Sequence, residues 1–243
     1  VGEVTDFNRL WTDSALDFSA GNADGTGGDG LYIDSIEGFL IDELNFRRDH
    51  FAAMDTPLTF DALSGKPAIF TPLVAFEFTR AISTDLHSRD ALAMANTTPA
   101  RVPWLAPLLD VMGSELCWIT DDEWTPGGEQ WLLFVRAMCG DKPYCIVQNA
   151  NFKKWTYEHT ELYMKRCVAY GMYPGFFSPN AMSDTYFGNP AYFNRDRELF
   201  KKYIPLCRRA GEAGWEPVTY ATSDLETVHA ERFGENLLTV LND

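Results

Sequence analysis

Short apolar runs that end in polar side chains recur along the chain, with longer amphipathic stretches between them. The five runs lie at residues 31–34, 91–96, 108–115, 143–149 and 171–178. The stretches with apolar residues at helical spacing lie at residues 73–89, 129–140 and 157–170. Continuous apolar strands that alternate with helices are typical of a parallel sheet covered by helices. The pattern therefore predicts an α/β fold.

Each predicted strand ends in side chains suited to chemistry: Asp34, Asn96, Glu115, Gln148 with Asn149, and Ser178. Barrels of the (β/α)8 type build their active sites at these carboxyl ends. A dinucleotide-binding sheet would instead need a Gly-rich fingerprint directly after a strand, and no G-x-G-x-x-G follows any of the five. We therefore predict a (β/α)8 TIM-type barrel, with residues 1–214 as its catalytic domain.

The predicted barrel is incomplete. Eight strands close such a barrel, and only five are predicted here. The chain starts at Val1 without an initiator Met, and residues 237–243 have the pattern of a strand. We therefore expect that the first barrel strands are missing and that the remainder of the same polypeptide, or else a partner, completes the barrel. Residues 215–243, with strand-like segments at 217–221, 227–233 and 237–241, are predicted to begin a C-terminal β-sandwich.

Charge and hydropathy exclude two classes of partner. The 243 residues include 20 Lys and Arg against 35 Asp and Glu, which gives a formal net charge of −15 with neutral histidines. This field repels phosphate backbones, so we expect no nucleic-acid partner. No apolar run approaches the ~18 residues of a membrane helix, so no membrane partner is expected.

The sequence carries no motif for a metal or a cofactor. Its four histidines are scattered, and no HExxH pair or Cys/His cluster offers zinc ligands. The Gly-rich residues 21–30 lack the spacing of a calcium loop, and we interpret them as a surface loop. We therefore predict no metal and no cofactor. The five cysteines, an odd number without a CxxC pair, are expected to be free thiols.

Two carboxylates at predicted strand ends suit glycoside hydrolysis, which requires a pair of carboxyl groups. Asp34 is the candidate nucleophile or electrostatic stabiliser, because Ser35 can hydrogen-bond to its ionised form. Glu115 is the candidate general acid, because the Leu, Cys and Trp that follow it would desolvate the carboxyl and raise its pKa. The structural alternative is that Asp34 caps a helix and Glu115 pairs with an arginine.

Polar and aromatic side chains near these strand ends are candidates for substrate binding. Aromatic rings can stack on the apolar faces of sugars, and amides, hydroxyls and carboxylates can bond to sugar hydroxyls. The predicted substrate-binding residues are Tyr32, Glu37, Asn96, Trp118, Trp124, Gln148, Asn149, Ser178 and Asn180. Burial in the core is the competing interpretation for the aromatic residues, and turn formation for the amides.

Several segments resemble a poorly characterised bacterial family of glycoside-hydrolase-like proteins. They are the stretch from Gly30 through NFRRDHF at 45–51, MKRCVAYGMYP at 164–174 and NRDRELFKKY at 194–203. The resemblance implies a (β/α)8 catalytic barrel followed by a β-sandwich. The layout is also remotely similar to the α-galactosidase and α-glucosidase clans, in which an Asp nucleophile ends the fourth strand and an acid/base carboxylate ends the sixth. Asp34 and Glu115 match these places if residues 31–34 are the fourth strand, although the usual acid/base is Asp.

The sequence thus predicts a glycoside hydrolase that acts on a carbohydrate polymer or oligosaccharide. Two alternatives stay open: a non-catalytic carbohydrate-binding barrel and a polysaccharide lyase. A lyase would need a Tyr, His or Lys base beside a charge-neutralising group, and the net charge of −15 does not favour polyanionic substrates. Degradation of a polymer argues for export, so we predict a secreted or periplasmic protein, although free thiols are more typical of the cytoplasm.

Overall fold

The computed structural model describes residues 29–36, 44–178 and 184–242. The chain forms two compact units, which divide between Met112 and Gly113. The strands are β1 (Gly30–Ile33), β2 (Leu44–Asn45), β3 (Thr59–Phe60), β4 (Pro67–Phe70), β5 (Leu92–Ala95), β6 (Val111–Leu116), β7 (Ile119–Thr120), β8 (Glu123–Trp124), β9 (Tyr144–Gln148), β10 (Tyr173–Phe176), β11 (Trp215–Glu216), β12 (Val228–Phe233) and β13 (Leu237–Asn242). The α-helices are α1 (Thr71–Ser88), α2 (Glu129–Cys139), α3 (Tyr157–Ala169) and α4 (Pro190–Ala213).

The main sheet has five parallel strands in the order β1-β5-β6-β9-β10. All five strands predicted from the sequence are present, and they are the members of this sheet. The three predicted helices correspond to α1, α2 and α3, so these eight elements are confirmed. The architecture is therefore mixed α/β with a parallel sheet, whereas the closed (β/α)8 barrel stays a prediction.

In the first unit, the hydrophobic core joins the β1–β5 strand pair to helix α1. The two strands pair in parallel, with Ile33 opposite Ala95. Ile82 and Leu86 of α1 belong to the same buried cluster as these two strand residues. Ala93 and Ala95 of β5 pack in this core. Since side chains alternate between the faces of a strand, Met94 between them points to the opposite face.

In the second unit, the burial of β9 also alternates. Tyr144, Ile146 and Gln148 are buried, whereas Cys145 and Val147 between them are only half-buried. The face of Tyr144 meets α2, since its ring makes an edge contact with Trp131 of that helix. Cys145 and Val147 lie on the other face of the strand, which continues towards Asn149, the residue that follows β9.

The C-terminal part of the second unit is a three-stranded antiparallel sheet in the order β11-β12-β13. Two of its strands match the predicted segments 227–233 and 237–241, but the predicted strand at 217–221 is wrong. Pro217 lacks the N–H that a ladder needs, and Tyr220 has a φ of 54°, which an extended strand does not allow. The third strand is instead Trp215–Glu216, so the predicted domain boundary at residue 215 falls inside the second unit.

Candidate functional site

At the carboxyl end of β1 and β5, in the first unit, an asparagine holds a carboxylate. Asn96 Nδ2 donates a hydrogen bond to Asp34 Oδ1 at 2.9 Å, and the backbone N–H of Ser35 donates to the same oxygen at 2.6 Å. The backbone N–H of Thr97 donates to Asn96 Oδ1 at 2.7 Å. Because that N–H needs an acceptor, it fixes the orientation of the amide, and the NH2 group of Asn96 faces Asp34.

Parallel pairing explains why Asp34 and Asn96 meet. The backbone N–H of Asn96 donates to Ile33 O at 2.9 Å, which extends the β1–β5 ladder by one residue beyond the strands. Asn96 is only 5% exposed, whereas Asp34 is exposed to solvent. Tyr32 lies two residues before Asp34 and so shares its face of β1. Among the described residues, the side chain of Asp34 accepts hydrogen bonds from Ser35 and Asn96.

The second unit has the same arrangement at the ends of β6 and β9. Asn149 Nδ2 donates to Glu115 Oε2 at 2.6 Å, and the backbone N–H of Asn149 donates to Leu116 O at 2.7 Å. Both side chains are half-buried. The amide therefore fixes the direction of the Glu115 carboxyl group, while its own Oδ1 is buried and accepts no hydrogen bond from the described residues.

Gln148 and Ser178, two further predicted substrate-binding residues, are fully buried. Gln148 precedes Asn149 and lies on the opposite face of β9, where its Oε1 accepts from the backbone N–H of Trp118 at 3.0 Å. Ser178 follows β10 by two residues and is fully buried. Neither Gln148 Nε2 nor Ser178 Oγ has a hydrogen-bond partner in the described part of the chain. The structure thus brings Asn149 to Glu115 and separates Gln148 from it.

The two candidate tryptophans differ in their surroundings. Trp118 is 2% exposed, and its ring makes edge contacts with Trp124 and Tyr163, so it has no open face for a sugar. Trp124 is half-buried and lies parallel to the ring of His159, with 5.9 Å between the ring centroids. The hairpin of β7 and β8 pairs Ile119 with Trp124 and so brings this ring to the loop after β6.

His159 is a member of this aromatic group that the sequence analysis did not select. It is the third residue of α3, where its ring accepts from the backbone N–H of Thr156 while its own backbone N–H donates to the Thr156 hydroxyl. Desolvation lowers its pKa, which favours the neutral ring that stacks on Trp124. The signal for it was Thr156 three residues ahead, the spacing of a capping box.

The remaining predictions concern Glu37 and Asn180, the cysteines, metal ligands and membrane helices. Glu37 and Asn180 lie outside the described residues. All five cysteines are free, as expected, with Cys139, Cys167 and Cys207 buried and Cys117 exposed. Within residues 29–36, 44–178 and 184–242, no group of three or more His, Cys, Asp or Glu side chains is arranged to hold a metal ion. In the same residues, no helix combines the length and the apolar character needed to cross a membrane.

Comparisons with known proteins add no information about the roles of these residues. No family is shown. Neither protein-family models, nor curated proteins, nor solved structures gave a match to the chain. The roles of the strand-end residues must therefore be argued from their chemistry and tested by experiment.

Proposed function

We propose that the chain is a glycoside hydrolase that acts on a carbohydrate polymer or an oligosaccharide. The observation that carries the proposal is the contact of Glu115 with Asn149, because it orients a half-buried carboxyl group at the carboxyl end of parallel strands. That edge of a parallel α/β sheet is where ligands and catalytic groups collect. Asp34, held by Asn96 at the end of β1, has the same support.

The proposed chemistry gives the two carboxyl groups different roles. Glu115, in its protonated form, donates its proton to the glycosidic oxygen, and the bond from that oxygen to the anomeric carbon breaks. The carboxylate of Asp34 either attacks the anomeric carbon or stabilises the positive charge that develops there, and a water molecule then adds to that carbon and returns a proton to Glu115. Asn149 is a positioning residue, since it holds the acid through Oε2.

Trp124 is the proposed sugar-stacking residue. Its ring is half-buried and supported by His159, so a sugar could cover the accessible part of the indole without ordering a mobile side chain. Trp118 supports the proposed site from inside the protein, because its ring packs against Trp124 and its backbone N–H binds Gln148.

The experiment compares natural glycosides with aryl glycosides that carry activated phenol leaving groups. Glu115→Gln should lower kcat by about 100-fold to 10,000-fold on natural glycosides, the usual range for general acid catalysis, and far less on the activated ones. Asp34→Asn should abolish turnover of both. Glu123→Gln, which removes an exposed glutamate of β8, is the matched control and should leave both rates unchanged.

Equal losses of Glu115→Gln on the two substrate classes would disprove its role as the acid. An active Asp34→Asn protein would disprove the site. If the unmodified protein bound oligosaccharides but turned none of them over, a non-catalytic carbohydrate-binding protein would be the correct description.

A further inference from the structure

Strand β13 is the outer strand of the C-terminal sheet. It pairs with β12 along one side, from Leu237 opposite Phe233 to Asn242 opposite Val228. In an antiparallel pair, the backbone N–H and C=O groups of every second residue point away from the partner strand. No backbone hydrogen bond joins that outer side of β13 to another segment of the described chain.

This outer strand lacks the usual protection of an edge. Natural edge strands carry charged residues, proline or a bulge, because an unprotected edge pairs with other chains. The six residues Leu237–Asn242 include no charged residue and no proline. Leu238 and Val240 are also 52% and 68% exposed, respectively. The strand therefore has the properties of an edge that another strand covers.

A groove runs beside the edge, with β13 as one wall and helices α3 and α4 as the other. Its volume is about 510 Å³. Val168 of α3 and Leu206 and Ala210 of α4 give the helical wall an apolar surface. The hydroxyl of Thr239 donates to Ala169 O at 2.6 Å, which fixes β13 against the end of α3. A ligand in this groove would thus meet free backbone groups and apolar side chains together.

The charged residues that line the groove are all basic. They are Lys165 and Arg209, and no acidic side chain lines it. Lys165 lies 3.8 Å from Glu161 Oε2, whereas Arg209 is exposed and has no ion pair in the described residues. Against a net charge of −15 for the chain, this positive charge beside an apolar wall favours an acidic ligand.

We propose that the groove binds an extended peptide with apolar and acidic side chains, which adds as a fourth strand to the free edge of β13. The peptide backbone pairs with β13, its apolar side chains cover the helical wall, and its carboxylates pair with Arg209 and Lys165. A fatty acid would satisfy the apolar wall and Arg209, but it would leave the backbone groups of β13 without partners. The free edge therefore favours a peptide.

The probe is a fluorescent blocked hexapeptide in which valine and glutamate occupy alternate odd positions and threonine occupies the even positions, so that the apolar and acidic side chains share the face that meets the helices. Fluorescence anisotropy should show saturable binding to the full chain. Arg209→Gln should weaken it about tenfold or more, the value of a charge-assisted hydrogen bond. Arg197→Gln, which removes an exposed arginine of α4 outside the groove, should leave the dissociation constant unchanged.

Two further probes test the strand geometry. N-methylation of the peptide on its valines and glutamate, or on its threonines, should abolish binding in one case only, because only one of these alternate sets of N–H groups can face β13. A second peptide carries lysine in place of glutamate and should bind more weakly, because Arg209 and Lys165 repel it. No binding of the first peptide, equal binding of the two peptides, or equal effects of the two arginine variants would overturn the proposal. It would also be overturned if decanoate displaced the peptide from the groove, or if sedimentation showed self-association that the peptide could not prevent.

Discussion

The hydroxyl of Tyr163 provides a sharp test of how β9 and β10 are held together. Tyr163 lies on α3 and is fully buried. Its hydroxyl donates to Ile146 O of β9, and Gly175 O of β10 is a second acceptor at 3.2 Å. The same hydroxyl oxygen accepts from the backbone N–H of Gly175 at 2.9 Å. Burial keeps the pKa of this tyrosine well above its ordinary value, so the hydroxyl stays neutral and can donate. One oxygen atom thus links two neighbouring strands.

Replacement of Tyr163 by phenylalanine should therefore be costly. It leaves a buried carbonyl and a buried N–H without this partner, and each such group costs about 1–3 kcal/mol. Because the strands can relax towards each other and recover part of that loss, we expect the free energy of unfolding to fall by about 2–4 kcal/mol. This is a large fraction of the ~5–15 kcal/mol that stabilises a typical folded protein.

The assay is urea unfolding followed by circular dichroism, with Tyr157→Phe as the matched control. Tyr157 begins the same helix and is 38% exposed, so its variant should change the free energy of unfolding by less than about 0.5 kcal/mol. If Tyr163→Phe unfolded at the same urea concentration as the unmodified protein, the hydroxyl would not be a structural link. A loss as large in Tyr157→Phe would mean that the method reports helix stability in general.

Two further predictions concern titratable groups. Burial raises the pKa of Glu231 above its unfolded value of about 4.3, so the folded state binds the proton more tightly and stability falls as pH rises through that interval. In Glu231→Gln, the new amide oxygen can still accept from Trp215 Nε1. The urea midpoint of this variant minus that of the unmodified protein should therefore increase from about pH 4 to pH 7. A difference that stays constant over this range would contradict the prediction. A thiol reagent at neutral pH should label exposed Cys117 at once and Cys139 only after unfolding, since burial raises the pKa of Cys139 to about 11. Rapid labelling of Cys139, located by mass spectrometry, would disprove its burial.

Sequence patterns were sufficient for the strands of the main sheet and for three helices, because each is an apolar run or an amphipathic stretch of ordinary length. Helix α4 was not predicted: Pro205 and Gly211, two helix-breaking residues, lie within its 24 residues. The strands β2 and β3 have two residues each, too few for any periodicity to be visible.

The candidate site shows a different limit. The sequence indicated that Glu115 and Asn149 each follow a strand, but only the structure shows that they touch, because β6 and β9 are adjacent parallel strands that end at the same edge. The sequence could not separate Asn149 from Gln148, because the face that a side chain occupies depends on the register of the strand. Nor could it separate Trp118 from Trp124, since the hairpin that buries one ring and leaves the other half-exposed consists of strands of only two residues.

The amides that hold the two carboxylates also expose the protein to chemical ageing. Asparagine side chains hydrolyse slowly to aspartate, which replaces an N–H donor by a second carboxylate without changing the shape of the side chain. At Asn149 this would place an oxygen with negative charge at the 2.6 Å position that now donates to Glu115. Two carboxylates cannot share such a contact unless one of them takes up a proton. An old sample could therefore lose the geometry of its strand ends while every other residue stays intact.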